Sequence, residues 1–433
     1  MAGADRGNPL TRIAKTATKV EPNELAATLL SFLFIFALML AYNILKPVRD
    51  AMVPDWSDVA VAWLWTYNFF FSAVAVSVYG FAVSRVKLKF LVPGVYGFFA
   101  ISFVLFYLGA LYLDNVDFVE KAFYLWISLF SLFHISVFWS LMSDLFNKVQ
   151  ALRLFAIIAS GASVGTIAGS AATLAFAKMI GTMNLMLIAA VILVAIVPVI
   201  GVLYRLRATQ LRPELQNKDG GQDTIVSGNP FAGFTEFVHN PFLLGIALFI
   251  FLYTMIGSFA YFEIKNLLEH LDRDTRTQIW AGINLVVNSL AIVTAMFATG
   301  RVAARFGLAT TLALVPLLVA VGFLAVAVNP ILAIVLVAWV TLKAGNYAIA
   351  RPGREMLYTL VNREDRFKAK PVIDIVVYRG GDTLAGWSFA GLTAILGLGL
   401  GAMAAIGAAI AVIWAVVGVY LGRSYDRAMA KES

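Results

Sequence analysis

The chain of 433 residues is 61% hydrophobic and only 13% charged, about half the charge of a water-soluble globular domain. That composition excludes a water-soluble surface. The absence of cysteine excludes disulfides, thiolate metal sites and thiol catalysis, and the net charge of +8 needs its own explanation.

The apolar residues fall in blocks of about twenty, the length of a helix crossing a hydrocarbon core of about 30 Å. Each block must be helical, because lipid offers no partner to a free backbone amide. Residues 1–23 are polar and basic, with neither the apolar region nor the small-residue cleavage site of a signal peptide. Spans are expected at about 24–45, 59–83, 90–113, 121–143, 152–177 and 183–204. After a polar linker, 205–240, six more follow at 241–262, 277–300, 308–328, 330–350, 371–394 and 399–421, and a tail, 422–433, closes the chain. The fold class expected is all-α: a polytopic membrane protein of twelve transmembrane helices in two six-helix halves, 24–204 and 241–421.

Lys and Arg collect in cytoplasmic loops. With the N-terminus inside, the inner segments hold 24 of the 33, the outer segments 7, and Lys343 and Arg379 lie within spans. The expectation is a multi-pass protein of the cell inner membrane with both termini cytoplasmic. Topology thus accounts for the positive charge without a nucleic-acid partner.

The two halves superpose with a shift of 217 residues at both ends, 24 against 241 and 204 against 421, as an internal repeat does. Gly80 to Arg85 and Gly300 to Arg305 occupy the same inner loop of each half. Both loops resemble the G-x-x-x-D-R-x-G loop of the major facilitator superfamily, the second keeping Gly300, Arg305 and Gly307, and both lacking the aspartate. The resemblance implies a major-facilitator-like fold, two six-helix halves rocking about a site near the midplane.

Within the spans, Gly161, Gly165 and Gly169 share one helix face, a pattern for close helix packing, with a moving hinge as the other reading. Gly161-Ala162-Ser163-Val164-Gly165 matches a hydrolase elbow formally, but that motif needs a strand and a sharp turn, and here it lies in an apolar helix. No phosphate-binding lysine loop, paired-histidine zinc motif or acidic calcium loop occurs, so neither an enzyme nor a cofactor or metal is expected. His134, at mid-depth in the fourth span, reads as a packing histidine or a proton carrier.

Charges inside the membrane cost several kcal/mol unless paired or facing water, which marks Lys343 in the tenth span as a site residue. In the eleventh span Arg379 and Asp382 are neighbours at i and i+3. They read equally as a structural ion pair or a substrate and gating pair, with Gly380-Gly381 weakening the helix between them. Lys46-Pro47-Val48-Arg49-Asp50 is expected to close the first span, and Glu263 and Lys265 the seventh.

Several of these stretches resemble the ATP/ADP antiporters, the nucleotide transporters of plastids and obligate intracellular bacteria. Leu45 to Asp50 looks like that family's L-K-D-T-K-D. Phe138-Trp139, Ala151-Leu152-Arg153 and Gly161-Ala162 are similar to its F-W-G, A-K-R and G-A-N. Arg354-Glu355-Met356-Leu357-Tyr358, then Lys368, Lys370 and Ile373-Asp374, look like K-E-M-A-Y, K-G-K and I-D. The resemblance implies a role for Lys46 in nucleotide transport and places Arg354, Glu355, Lys368, Lys370 and Asp374 in a signature loop. Where the family has a lysine in G-K-S-G, this chain has Gly381-Asp382, which inverts the charge, and the family's acidic residue at the end of the seventh span is met approximately by Glu263.

The reading is a secondary transporter or exchanger of a small anionic metabolite, a nucleotide among the candidates, with Lys46, Arg49, Glu263, Lys343, Glu355, Arg379 and Asp382 on its path. Two alternatives stand beside it: a proton-coupled transporter of a non-nucleotide solute, and a membrane scaffold of the same fold. Lipid is the other partner expected.

Overall fold

The computed structural model describes residues 20–211, 240–297, 299–361 and 372–432. The first six helices are α1 (Leu25–Met52), α2 (Asp58–Arg85), α3 (Leu88–Tyr112), α4 (Val116–Leu145), α5 (Lys148–Ile180) and α6 (Leu185–Leu206). They are followed by α7 (Pro241–Leu268), α8 (Arg273–Phe297), α9 (Thr299–Val328), α10 (Leu332–Gly345), α11 (Tyr378–Leu396) and α12 (Leu400–Glu432). No strand occurs among the described residues.

Helix ends follow local chemistry. The Asn147 side chain accepts from the Gln150 amide while the Gln150 side chain accepts from the Asn147 amide, a capping box that opens α5. Asn240 accepts from the amides of Phe242 and Leu243 at the start of α7, where Pro241 occupies the first turn. Gly181 and Gly397, with φ of 84° and 64°, end α5 and α11 in a conformation that disfavours a side chain. Gly307, at φ 75°, breaks α9 after its first two turns.

Among the described residues, eleven helical stretches are long and apolar enough to cross a membrane. α11 is the twelfth long helix, and it is the one that carries Arg379 and Asp382.

The end of the first span is corrected. The segment Lys46 to Asp50 does not close α1, which runs on through Pro47 to Met52. Leu45, Val48, Ala51 and Met52 are fully buried at helical spacing, so packing on that face outweighs the proline. α12 runs on past the expected span end at 421 to Glu432. Gly380 and Gly381 lie within regular helix, and a π-helical turn at Val372–Val377 precedes them.

The chain groups into two compact units. One comprises Met1–Ala51, Phe71–Asp223 and Arg273–Gly282, the other Met52–Phe70, Thr224–Asp272 and Ile283–Ser433. The start of α2 therefore belongs with the later helices and the start of α8 with the earlier ones.

In the first unit, glycine sets how closely α5 meets α1. Ideal Cβ atoms on Gly161, Gly165 and Gly169 would stand 2.6, 2.2 and 2.6 Å from the carbonyl oxygens of Phe32, Phe36 and Leu40. Three successive turns of each helix thus meet backbone to backbone. Polar links gather at the start of α8. Arg273 donates to both oxygens of Glu120 on α4, and Asp274 accepts from the amide and hydroxyl of Thr182 at 2.9 and 2.6 Å.

In the second unit α12 packs along α9 and α7. The start of α2 joins them through Trp65, whose ring lies 5.1 Å from Phe262, and through Thr66, which accepts from Trp387 Nε1 at 3.0 Å.

Candidate functional site

Three helices of the second unit assemble the charged residues of the tenth and eleventh spans. On α7, Tyr253 and Gly257 are one helical turn apart and Ser258 follows. On α10, Trp339 precedes Lys343 by one turn, and on α11 Tyr378 precedes Asp382 by one turn.

Lys343 Nζ lies 4.6 Å from the centre of the Trp339 ring and 5.1 Å from that of Tyr253, and donates to Tyr253 Oη at 3.3 Å. Both rings present negative faces to the ammonium. An ideal Cβ on Gly257 would stand 3.2 Å from Nζ, so glycine gives the lysine its room.

Asp382 accepts from Ser258 Oγ at 3.2 Å. Arg379 and Lys343 both act on Asp382 electrostatically, yet neither lies within ion-pair distance of a carboxylate among the described residues. Arg379 and Asp382 therefore do not close the i, i+3 salt bridge that their spacing allows. Gly381 leaves room for the Thr254 side chain, since a Cβ there would fall 2.2 Å from Thr254 Oγ1.

Two π-helical turns flank the cluster, Asn346–Ala350 just after Lys343 and Val372–Val377 just before Tyr378. Such turns re-aim side chains and free carbonyls, and they are frequent at functional sites. Lys343 is eleven residues into α10, about 16 Å along the helix. Two cations, one carboxylate, a serine and aromatic rings thus gather at that depth, with positive charge in excess.

The other sequence-derived candidates fall elsewhere. Lys46 is half-buried on α1 in the first unit. Arg49 is engaged locally: Nε and Nη2 donate to Asp50 Oδ1 at 2.9 and 2.7 Å, and its guanidinium lies 5.1 Å from the centre of the Tyr124 ring. His134 is buried, with Nδ1 donating to the Phe130 carbonyl at 3.1 Å and its ring stacked on Tyr42 at 4.5 Å. That bond places the proton of a neutral ring on Nδ1 and leaves Nε2 as a lone pair with no donor among the described residues.

Glu263, on α7, is 1% exposed, and neither carboxylate oxygen has a hydrogen-bond partner among the described residues. Two residues on, Lys265 is paired with Asp58. Arg354 and Glu355 pair with each other at 3.3 Å on the short helix Arg351–Leu357. Asp374 lies in the π-helical turn, while Lys368 and Lys370 lie outside the described residues.

Sequence reasoning passed over Tyr253, Ser258, Trp339 and Tyr378. Two of them carried a signal, since Trp339 precedes Lys343 and Tyr378 precedes Asp382 by four residues, the spacing that stacks side chains on one helix face. Tyr253 and Ser258 carried none, because only packing decides which α7 residues face α10 and α11.

Among solved structures, the nucleoside transporter NupG, in a mutant form, is similar with a TM-score of 0.63 at 12% identity, over 92% of this chain and 99% of that one. A POT family transporter in complex with 5-aminolevulinic acid gives 0.63 at 11% identity, over 91% and 96%. A bacterial homolog of the human lysosomal transporter Spinster, inward-facing and unoccupied, gives 0.58 at 13%, over 94% and 98%. At such identities the likeness is one of fold alone. No curated protein matches the chain. The Major Facilitator Superfamily matches residues 25–363, most of the sequence, and with twelve long helices and a charged cluster among them the chain belongs to that superfamily, as a multi-pass membrane solute transporter.

Proposed function

We propose that the chain is a secondary transporter or exchanger of a small anionic metabolite, and that Lys343, Arg379 and Asp382 lie on the path of its substrate. The observation that carries this reading is Lys343, held within a span by Tyr253 and Trp339 without a carboxylate partner among the described residues. An ammonium in that position is costly unless an anion or water completes its surroundings. The resemblance to ATP/ADP antiporters makes nucleotides the first class to test. Asp382 opposes a triphosphate of about four negative charges where screening is weak, so exchange of ATP for ADP is expected to be slow or absent, and less highly charged anions are preferred. The protein is assigned to the inner membrane with both termini in the cytoplasm, from the excess of Lys and Arg in alternate loops.

The test is thermal stabilisation of the purified protein by a panel of nucleotides, monophosphates and carboxylates, followed by uptake into liposomes. Saturable stabilisation by one anion class, lost in Lys343→Met, is the expected result. Equal response of wild type and variant to every anion would sink the reading.

A second reading, proton-coupled transport, is favoured by Glu263. A buried carboxylate with two unpartnered oxygens is costly as an anion and inexpensive as an acid. Its charged neighbour Asp58 is already paired with Lys265. Uptake driven by an imposed proton gradient, lost in Glu263→Gln, is the outcome this reading requires.

A further inference from the structure

α9 and α12 are drawn together by glycine. An ideal Cβ on Gly418 would stand 2.9 Å from the Leu312 carbonyl oxygen, and one on Gly422 only 2.2 Å from Ala309 Cα. Where two helices pack this closely through small residues, the larger side chains on either flank form the walls of a trough. Such a trough, about 420 Å³, runs along this pair. Leu317, Val412 and Val416 form its apolar wall, and Tyr420, Arg423 and Arg427 its polar end.

The trough faces outward from the unit. Leu317, Val416 and Tyr420 are 50%, 63% and 60% exposed, so in a membrane this wall meets acyl chains. From Val412 to Arg423 is eleven residues of continuous helix, about 16 Å, close to half of a hydrocarbon core of about 30 Å. The arginines therefore stand about one leaflet's depth from the far end of the apolar wall.

Arg423 and Arg427 are one turn apart on the same face of α12, and neither guanidinium makes an ion pair or hydrogen bond with another described residue. No acidic side chain lines the trough. The carboxylate of Asp426, between them in sequence, is directed to Gly307, with Oδ2 3.9 Å from an ideal Cβ there.

The geometry points to a binding site for one anionic phospholipid on the α9–α12 face, with an acyl chain along Leu317, Val412 and Val416 and the phosphate on the guanidinium groups of Arg423 and Arg427. A guanidinium pair offers several donors to phosphate oxygens. The apolar wall distinguishes a lipid from free phosphate. The site is independent of what the protein transports, since it needs only the membrane-spanning fold.

Native mass spectrometry on the full chain, stripped of lipid in detergent, tests it by titrating phosphatidylglycerol against phosphatidylcholine with the same acyl chains. The wild type is expected to retain one phosphatidylglycerol about twenty-five-fold more tightly than phosphatidylcholine, since each of the two basic residues near an anionic head group contributes roughly fivefold. The double variant Arg423→Ala, Arg427→Ala should bind both lipids equally while keeping its thermal unfolding temperature, because both side chains are exposed. Val416→Trp, which fills the trough and leaves the arginines in place, should weaken phosphatidylglycerol as well. Equal binding of the two lipids by the wild type would overturn the assignment. So would a double variant that keeps the preference, or inorganic phosphate that competes as well as the lipid.

Discussion

Lys265 Nζ lies 2.9 Å from Asp58 Oδ1, an ion pair that joins α7 to the start of α2 across 207 residues of chain. Both side chains are largely buried, at 5% and 17% exposure. Removing one partner leaves the other charge without compensation. Lys265→Ala should therefore destabilise the protein by about 3 kcal/mol, seen as a lower unfolding temperature in detergent. The double change Lys265→Met, Asp58→Leu should recover most of that loss. A single variant as stable as the wild type would show that the pair contributes nothing.

Gly165 is expected to tolerate no side chain. A Cβ there would stand 2.2 Å from the Phe36 carbonyl oxygen, so Gly165→Ala must push α5 away from α1, at a cost of about 3 kcal/mol. Gly201→Ala is the control, because nothing lies within 4 Å of its Cβ position. Comparable unfolding temperatures for the two variants would contradict the close approach.

Gly257→Ala tests how Lys343 is held. The added methyl would press on Nζ from 3.2 Å, a distance that a flexible lysine relieves by turning away from Tyr253 and Trp339. Stability should fall by under about 1 kcal/mol, while stabilisation by the preferred anion should fall several-fold. An unchanged ligand response would separate Lys343 from the substrate path.

Asp382→Asn should leave stability nearly unchanged, since among the described residues Asp382 has one side-chain hydrogen bond, from Ser258, and no ion pair to lose. Net charge at the cluster becomes more positive, so anion binding is expected to strengthen. If Arg379 and Asp382 were instead a structural pair, this variant would unfold earlier, and neutralising both residues would restore it.

Reporter fusions test the orientation. Residues 205–240 and the C-terminal end of α12 are expected in the cytoplasm and residues 269–272 outside. An externally placed C-terminus would reverse the assignment.

The membrane class and the helix order follow from the order of residues alone, because a span of about twenty apolar residues has no alternative to helix in lipid. The sequence also singled out Lys343, Arg379 and Asp382, since a charge within a span is conspicuous whatever surrounds it. The tertiary structure decided what those charges do to one another. Arg379 and Asp382 have the spacing of a salt bridge and do not form one, whereas Asp58 and Lys265, far apart in the chain, do. Local periodicity states which side chains share a helix face but not which helix that face meets. The rings around Lys343, the lone carboxylate of Glu263 and the trough beside Arg423 all depend on that second fact. They come from helices brought together by close packing through glycine, such as Gly422 against Ala309, and a glycine's sequence context does not name the backbone it will touch.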